Sequence, residues 1–328
     1  MHTYKTQGRA VYSFLFSAVF LIAVVFVSIY FSACSPEKHT IRIGVNAWPP
    51  CELWYVAEQQ GFFAGMDVDI VRFSTWTDNM KSLPLGDIDI THSTYFNALY
   101  YRDKGKGGKI ILKSDTIEGG DGLVVGSHVK DGPDLKGRSI AVETATDEHF
   151  LLYNALVRFG LSEEDVSLVS MTSVDASKAF ISGEVDACFT YEPYLSEAAK
   201  GGNGKIVYTT TDIPDTMIDV LVASDEFLAK YPNDAKRLVD AYYRAQEWTK
   251  AHPDEAFALM GKNERMVASD FGSFYSSFTF FSKEHNVDNF SSGAFKATLA
   301  GMRDFLMGHG FVQQHIALDD MYWSKAVK

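Results

Sequence analysis

Short runs rich in β-branched residues alternate along the chain with stretches whose apolar positions recur every three or four residues. Runs at 41–45, 68–73, 88–92, 109–113, 139–143, 166–171 and 185–190 predict strands, and segments 52–61, 77–83, 147–159 and 175–182 predict helices between them. This alternation predicts α/β layers around largely parallel sheets. From Pro232 onward the pattern turns helical. There the run Phe271, Phe274, Tyr275, Phe278 has helical spacing and predicts core packing of C-terminal helices.

The longest apolar stretch stands outside this pattern. No charged residue occurs between Arg9 and Glu37, and residues 11–33 are numerous enough to cross a bilayer as a helix. With Lys5 and Arg9 ahead of it, this segment predicts an export signal or a membrane anchor. It ends in Phe31-Ser32-Ala33-Cys34, which resembles the cleavage box of bacterial lipoproteins, so Cys34 is the expected lipid attachment residue. Cleaved or retained, the segment places the rest of the chain outside the cytoplasm and tethered to a membrane.

Sliding the chain against itself by 97 residues aligns 75–89 with 172–186. Thr75, Asp78, Lys81, Gly86 and Asp89 fall on Thr172, Asp175, Lys178, Gly183 and Asp186. The repeated unit reads as a polar residue opening a helix, a glycine closing it and a short buried strand. Its aspartates are expected to be structural. Ligands of open α/β sheets bind beyond the carboxyl ends of the strands, which selects Ser93, Thr94 and Tyr95 in one half and Tyr191, Glu192 and Pro193 in the other. A second correspondence, Asp121-Gly-Leu-Val-Val with Asp219-Val-Leu-Val-Ala, marks two crossings between lobes that can serve as a hinge. The expected division is residues 1–33 as signal or anchor, 34–122 with 221–328 as lobe one, and 123–220 as lobe two.

These residues resemble the extracytoplasmic solute-binding proteins of bacterial ABC importers, in the branch that includes nitrate, sulfonate, taurine and thiamine-pyrimidine binders. The resemblance rests on Asn46-Ala-Trp48-Pro-Pro-Cys-Glu-Leu-Trp-Tyr-Val-Ala57 with Gln60-Gly-Phe-Phe63, the two Gly-Asp/Glu-Ile/Val-Asp turns, Asp134-Leu-Lys-Gly-Arg-Ser-Ile-Ala-Val142, and Tyr191-Glu-Pro193. It implies a periplasmic-binding-protein type II-like α/β fold, two α/β lobes joined by two crossing strands with a ligand cleft between them. It also implies a cleft lined by Asn46, Trp48, Trp76, Ser93 and Thr94, and by the helix start that holds Thr144 and Thr146. Relatives often carry a Gly and Ser pair at that helix start, where this chain has Thr144-Ala-Thr.

Charge and chemistry narrow the reading. The net charge is -12, from 30 basic and 42 acidic residues, which argues against nucleic acid as a partner. The motifs HExxH, GxSxG, GxxxxGK[ST] and GxGxxG are absent from the sequence, so the expectation is a binding protein, not an enzyme, with no cofactor and no metal. Its expected partners are a small ligand, an ABC permease with its ATPase, and the membrane, and the chain is expected to act as a monomer. Several candidates carry two readings. Trp48 can stack on a ligand or cap the core, Tyr95 and Tyr191 can be cleft wall or core, and Glu192 can pair with a ligand amine or serve its own helix start. Asp121 and Asp219 read foremost as hinge residues and otherwise as ligand acceptors. Cys51 and Cys188 are expected to be unpaired, and His149 to be a packed or surface histidine. Aromatic and acidic candidates without an arginine favour an amine-bearing or heteroaromatic ligand such as a thiamine-precursor pyrimidine. The alternatives are a nitrate-, sulfonate- or taurine-type ligand, or an exported enzyme or sensor on the same scaffold.

Overall fold

A computed structural model describes residues 39–213 and 217–328, so the expected export segment and Cys34 lie outside the described residues. The first lobe opens with β1 (Thr40–Val45), α1 (Leu53–Gln59), β2 (Asp67–Arg72), α2 (Trp76–Leu85), β3 (Ile90–Thr94), α3 (Tyr95–Asp103) and β4 (Gly108–Ile117). After residues 118–120 the chain enters a second sheet through β5 (Asp121–Val125). It continues as β6 (Ser139–Val142), α4 (Asp147–Arg158), β7 (Ser167–Ser170), α5 (Ser173–Ser182), β8 (Ala187–Tyr191), α6 (Tyr194–Gly201) and β9 (Lys205–Thr209). It returns to the first sheet as β10 (Asp219–Ser224). Then follow α7 (Asp225–Lys230), α8 (Pro232–Ala251), α9 (Pro253–Glu264), α10 (Ala268–Tyr275), β11 (Phe278–Phe280), α11 (Lys283–Ser292) and α12 (Ala294–Gly308).

The two sheets share one plan. Their orders are β11-β4-β10-β3-β1-β2 and β7-β6-β8-β5-β9, so β5 in one lobe takes the place of β10 in the other. The expected parallel pairing holds within the repeated part, where β1 pairs with β3 and β6 with both β7 and β8. Each crossing strand is antiparallel to both of its neighbours, which makes both sheets mixed. Such a strand arrives from the other lobe by a short connection instead of a helical crossover, and only the crossover demands parallel pairing.

The sequence repeat is a repeat of caps. Thr75 accepts a hydrogen bond from the Asp78 N–H at 3.1 Å, and Thr172 accepts one from the Asp175 N–H at 3.2 Å. Gly86 and Gly183 close the two helices in the left-handed conformation, at φ 81° and 79°. Asp89 then accepts from the Arg42 N–H at 2.8 Å and Asp186 from the Ser139 N–H at 2.9 Å, tying each strand entrance to the first strand of its lobe.

The C-terminal segment also reaches across to lobe two. Phe150 of α4 packs edge-on against Phe305 of α12, with ring centroids 4.7 Å apart, while Phe311 lies 5.5 Å from Phe96 and Tyr153 lies 4.6 Å from His309. Cys51 and Cys188 are buried free thiols.

A methyl group at Gly183 would meet no neighbour within 4 Å, so the cost of Gly183→Ala is conformational alone. We expect this change to lower unfolding free energy by about 1–2 kcal/mol in chemical denaturation. A neutral effect would mean that α5 can end without the left-handed turn.

Candidate functional site

The strand ends of both lobes converge on a small cavity of ≈ 40 Å³. Lobe one contributes Asn46, Trp48, Trp76, Thr94, Ile117, Met217 and Asp219, and lobe two contributes Asp121, Asp147, Glu148 and Tyr191. This volume exceeds the roughly 10–15 Å³ that one ordered water needs. Asp121 and Asp219 open the equivalent strands β5 and β10. Their cross-strand partners, Tyr191 and Thr94, end β8 and β3.

Trp48 lines the cavity and is buried against the core. Its indole N–H donates to the Asp219 carboxylate at 2.9 Å, and its ring meets Tyr191 of the other lobe edge-on at 5.8 Å. Phe278 and Phe274 back it at 5.0 and 6.1 Å. The C-terminal aromatic run therefore divides, with Phe271 and Tyr275 packing against Phe257 while Phe274 and Phe278 support the cavity wall. Trp76 Nε1 is buried without a hydrogen-bond partner. Asn46 accepts from Asn79 Nδ2 at 2.7 Å, which fixes its orientation at the end of β1.

Of the residues selected from sequence, Asn46, Trp48, Trp76, Thr94, Asp121 and Tyr191 line the cavity. The others lie elsewhere. Ser93 is buried within β3, opposite Val220. Tyr95 begins α3 and turns its ring into the core, 5.6 Å from Phe295. Thr144 exchanges a hydrogen bond with Ser170 at 2.6 Å, and Thr146 donates to the Glu143 carbonyl and the Glu148 carboxylate. Between them Ala145 holds φ at 62°, a conformation that glycine adopts more easily. Glu192 accepts from the Ser196 N–H at 3.1 Å and hydroxyl at 2.7 Å, serving the start of its own helix. His149 accepts the Ala145 N–H at 3.1 Å.

Two cavity carboxylates, Asp147 and Glu148, were not among the candidates read from the sequence, and Asp219 was read foremost as a hinge residue. Acids in the first turn of a helix are favoured by its dipole whether or not a ligand is near, which hid Asp147 and Glu148. For Asp219 the available signal was its alignment with Asp121. Polar bonds also span the lobes here: Thr94 Oγ1 and Asn97 Nδ2 donate to Asp147, and the Thr77 hydroxyl donates to Glu143.

Among the described residues, no lysine or arginine lines the cavity. Burial pushes every one of its carboxyl groups upward. Asp219 rises to about 6 and Asp147 to about 7, with Asp219 adding repulsion at Asp147. Asp121 and Glu148 are held well above the usual carboxylate range by burial first and neighbouring carboxylates second. Behind Asp219, its cross-strand neighbour Asp115 is fully buried and raised by burial and by Asp219. Among the described residues, no group of His, Cys, Asp and Glu side chains is arranged to hold a metal ion.

Residues 34–260 match the model of the NMT1-like family, and the chain belongs to that family. A Brucella abortus protein described as a binding protein is 22% identical over 298 residues, covering 89% of this chain and 92% of its own length. The taurine-binding periplasmic protein of Escherichia coli is 23% identical over 224 residues, covering 66% of this chain and 69% of its own. Among solved structures, the alkanesulfonate-binding protein of Xanthomonas axonopodis bound to MOPS superposes with a TM-score of 0.73 at 17% identity, covering 88% of this chain and all of that one. The two lobes thus form a periplasmic-binding-protein fold.

Raised carboxyl pKa values mean that the folded protein holds protons which the unfolded chain has released. The associated stability is therefore full below the unfolded value and is lost as pH rises through the folded one. Between about pH 5 and pH 8 we expect the stability difference between Asp219→Asn and wild type to move in favour of the variant by on the order of 2 kcal/mol. Thermal denaturation across that range measures it, and a pH-independent difference would mean that Asp219 ionises without strain.

Proposed function

We propose that this chain is the extracytoplasmic solute-binding component of an ABC importer, closing two lobes on a small solute and passing it to a membrane permease without a reaction of its own. The relatives named as periplasmic and binding proteins support the transport role. The observation that carries the ligand reading is the cavity itself, with carboxylates from both lobes, three aromatic residues and no basic side chain. An amine-bearing or protonated heteroaromatic solute, such as an aminopyrimidine of the thiamine-precursor kind, supplies the positive charge that this lining lacks. Its flat face suits Trp48, Trp76 and Tyr191. Closure excludes water and strengthens each of these contacts.

A second reading, a sulfonate or taurine ligand, is favoured by the names of the relatives. Benzylamine and 4-aminopyrimidine, set against methanesulfonate and taurine, separate the two in a thermal-shift assay. We expect the amines to raise the melting temperature and Asp121→Asn to weaken their binding by about 1.5–3 kcal/mol. Stabilisation by the sulfonates alone would establish the second reading.

Tethering belongs to the same proposal. The family match begins at residue 34, where the lipid-accepting cysteine is expected. Cys34→Ser should move the protein from the detergent phase to the aqueous phase on phase partitioning. Retention of the variant in detergent would assign anchoring to the apolar segment 11–33 instead.

A further inference from the structure

Two helices, one from each lobe, begin at the cavity. Thr94 is the cap of α3 and Asp147 is the first residue of α4. Helix starts carry unpaired N–H groups and partial positive charge, and they are general sites of anion binding. In this chain the place between them is taken by the protein itself. The Asp147 side chain is buried, at 2% exposure. One of its oxygens accepts from Thr94 Oγ1 at 2.5 Å and the other from Asn97 Nδ2. Both oxygens act as acceptors, and above about pH 7, the value to which burial raises this carboxyl, they carry its negative charge.

Asp121 presents the opposite case in the same cavity. It is buried at 7% exposure, yet no hydrogen-bond donor reaches its carboxylate among the described residues. One carboxylate is saturated by the capping hydroxyl and the side-chain amide at the start of α3. The other faces the cavity unsatisfied and points to a ligand that donates.

We propose that Asp147 is a resident anion, filling with the chain's own carboxylate the anion position between the starts of α3 and α4, so that the cleft refuses sulfonates and other oxyanions. This rests on the reading of the cavity as the ligand site. Asp147 then determines specificity by occupation: an incoming oxyanion finds its donors spent and three further carboxylates, Asp121, Glu148 and Asp219, around it. The same bond network joins the lobes, so the residue that excludes anions also helps to hold the cleft closed.

The test is a gain of function. Asp147→Ala removes the carboxylate and leaves the Thr94 hydroxyl and the Asn97 amide, beside the starts of α3 and α4, without their acceptor. At about pH 8, where the ordinary carboxylate is fully ionised, the full chain in detergent is melted with sodium formate, sodium methanesulfonate or benzylamine. Wild type should respond to neither anion. Asp147→Ala should melt lower and regain roughly 5 °C in saturating formate or methanesulfonate relative to wild type in the same salt. A variant that responds to both anions no more than wild type overturns the proposal, as does stabilisation of wild type by methanesulfonate. The wild-type measurement decides even if the alanine variant does not fold, and Asp147→Ser repeats the anion arm. Benzylamine reports separately on the cationic-ligand reading. An anion gain without any benzylamine response leaves the resident anion in place and removes that reading.

Discussion

Buried carboxylates without a counter-cation are the constraint around which this molecule is arranged. Elsewhere in the chain a buried acid receives a partner: Glu52 meets Arg72 at 2.8 Å, and Asp103 meets Lys104 at 3.1 Å together with two backbone N–H groups. The cavity acids receive hydroxyl, amide and indole donors, or none, and never a basic side chain. An uncompensated buried charge costs several kcal/mol unless it is neutralised. Neutralisation comes from a proton or from a solute, and these two compete for the same oxygens.

The pseudo-symmetry of the lobes explains how the acids came to face one another. The crossing strands β5 and β10 hold equivalent places in their sheets, and each begins with an aspartate at the lobe boundary. Repetition of one plan therefore sets two like charges across a narrow gap. Trp48 breaks the symmetry, since its indole satisfies Asp219 while Asp121 gains no such partner. The lobes consequently offer unequal halves of a site, which an asymmetric solute requires.

Much of the fold was legible because its signals are local. The caps at Thr75 and Thr172 and the closing turns at Gly86 and Gly183 depend on neighbours a few residues away. The helix α3 escaped detection because it begins where a strand ends, with aromatic residues at its start and no polar spacer. Among the residues that line the cavity, Trp48 was legible from its loop after a strand and Asp121 from its alignment with Asp219, while Trp76 followed only from the family resemblance. Glu192 and Asp147 carry the same local description, an acid at a helix start. Only tertiary placement separates them, since one serves Ser196 of its own helix and the other meets Thr94 and Asn97 of the opposite lobe.

The aromatic seam between α4 and the C-terminal segment bears on time as well as on shape. Phe150 and Tyr153 of lobe two lie against Phe305 and His309, which belong to the segment that anchors on lobe one through Phe311 and Phe96. Parting the lobes on that side separates ring pairs that are in contact, and a gap of about 0.5–1 Å already forfeits a quarter to a half of their dispersion attraction. The cleft thus opens against an apolar barrier remote from the solute. Separation of the lobes is thus opposed partly by rings that do not line the cavity.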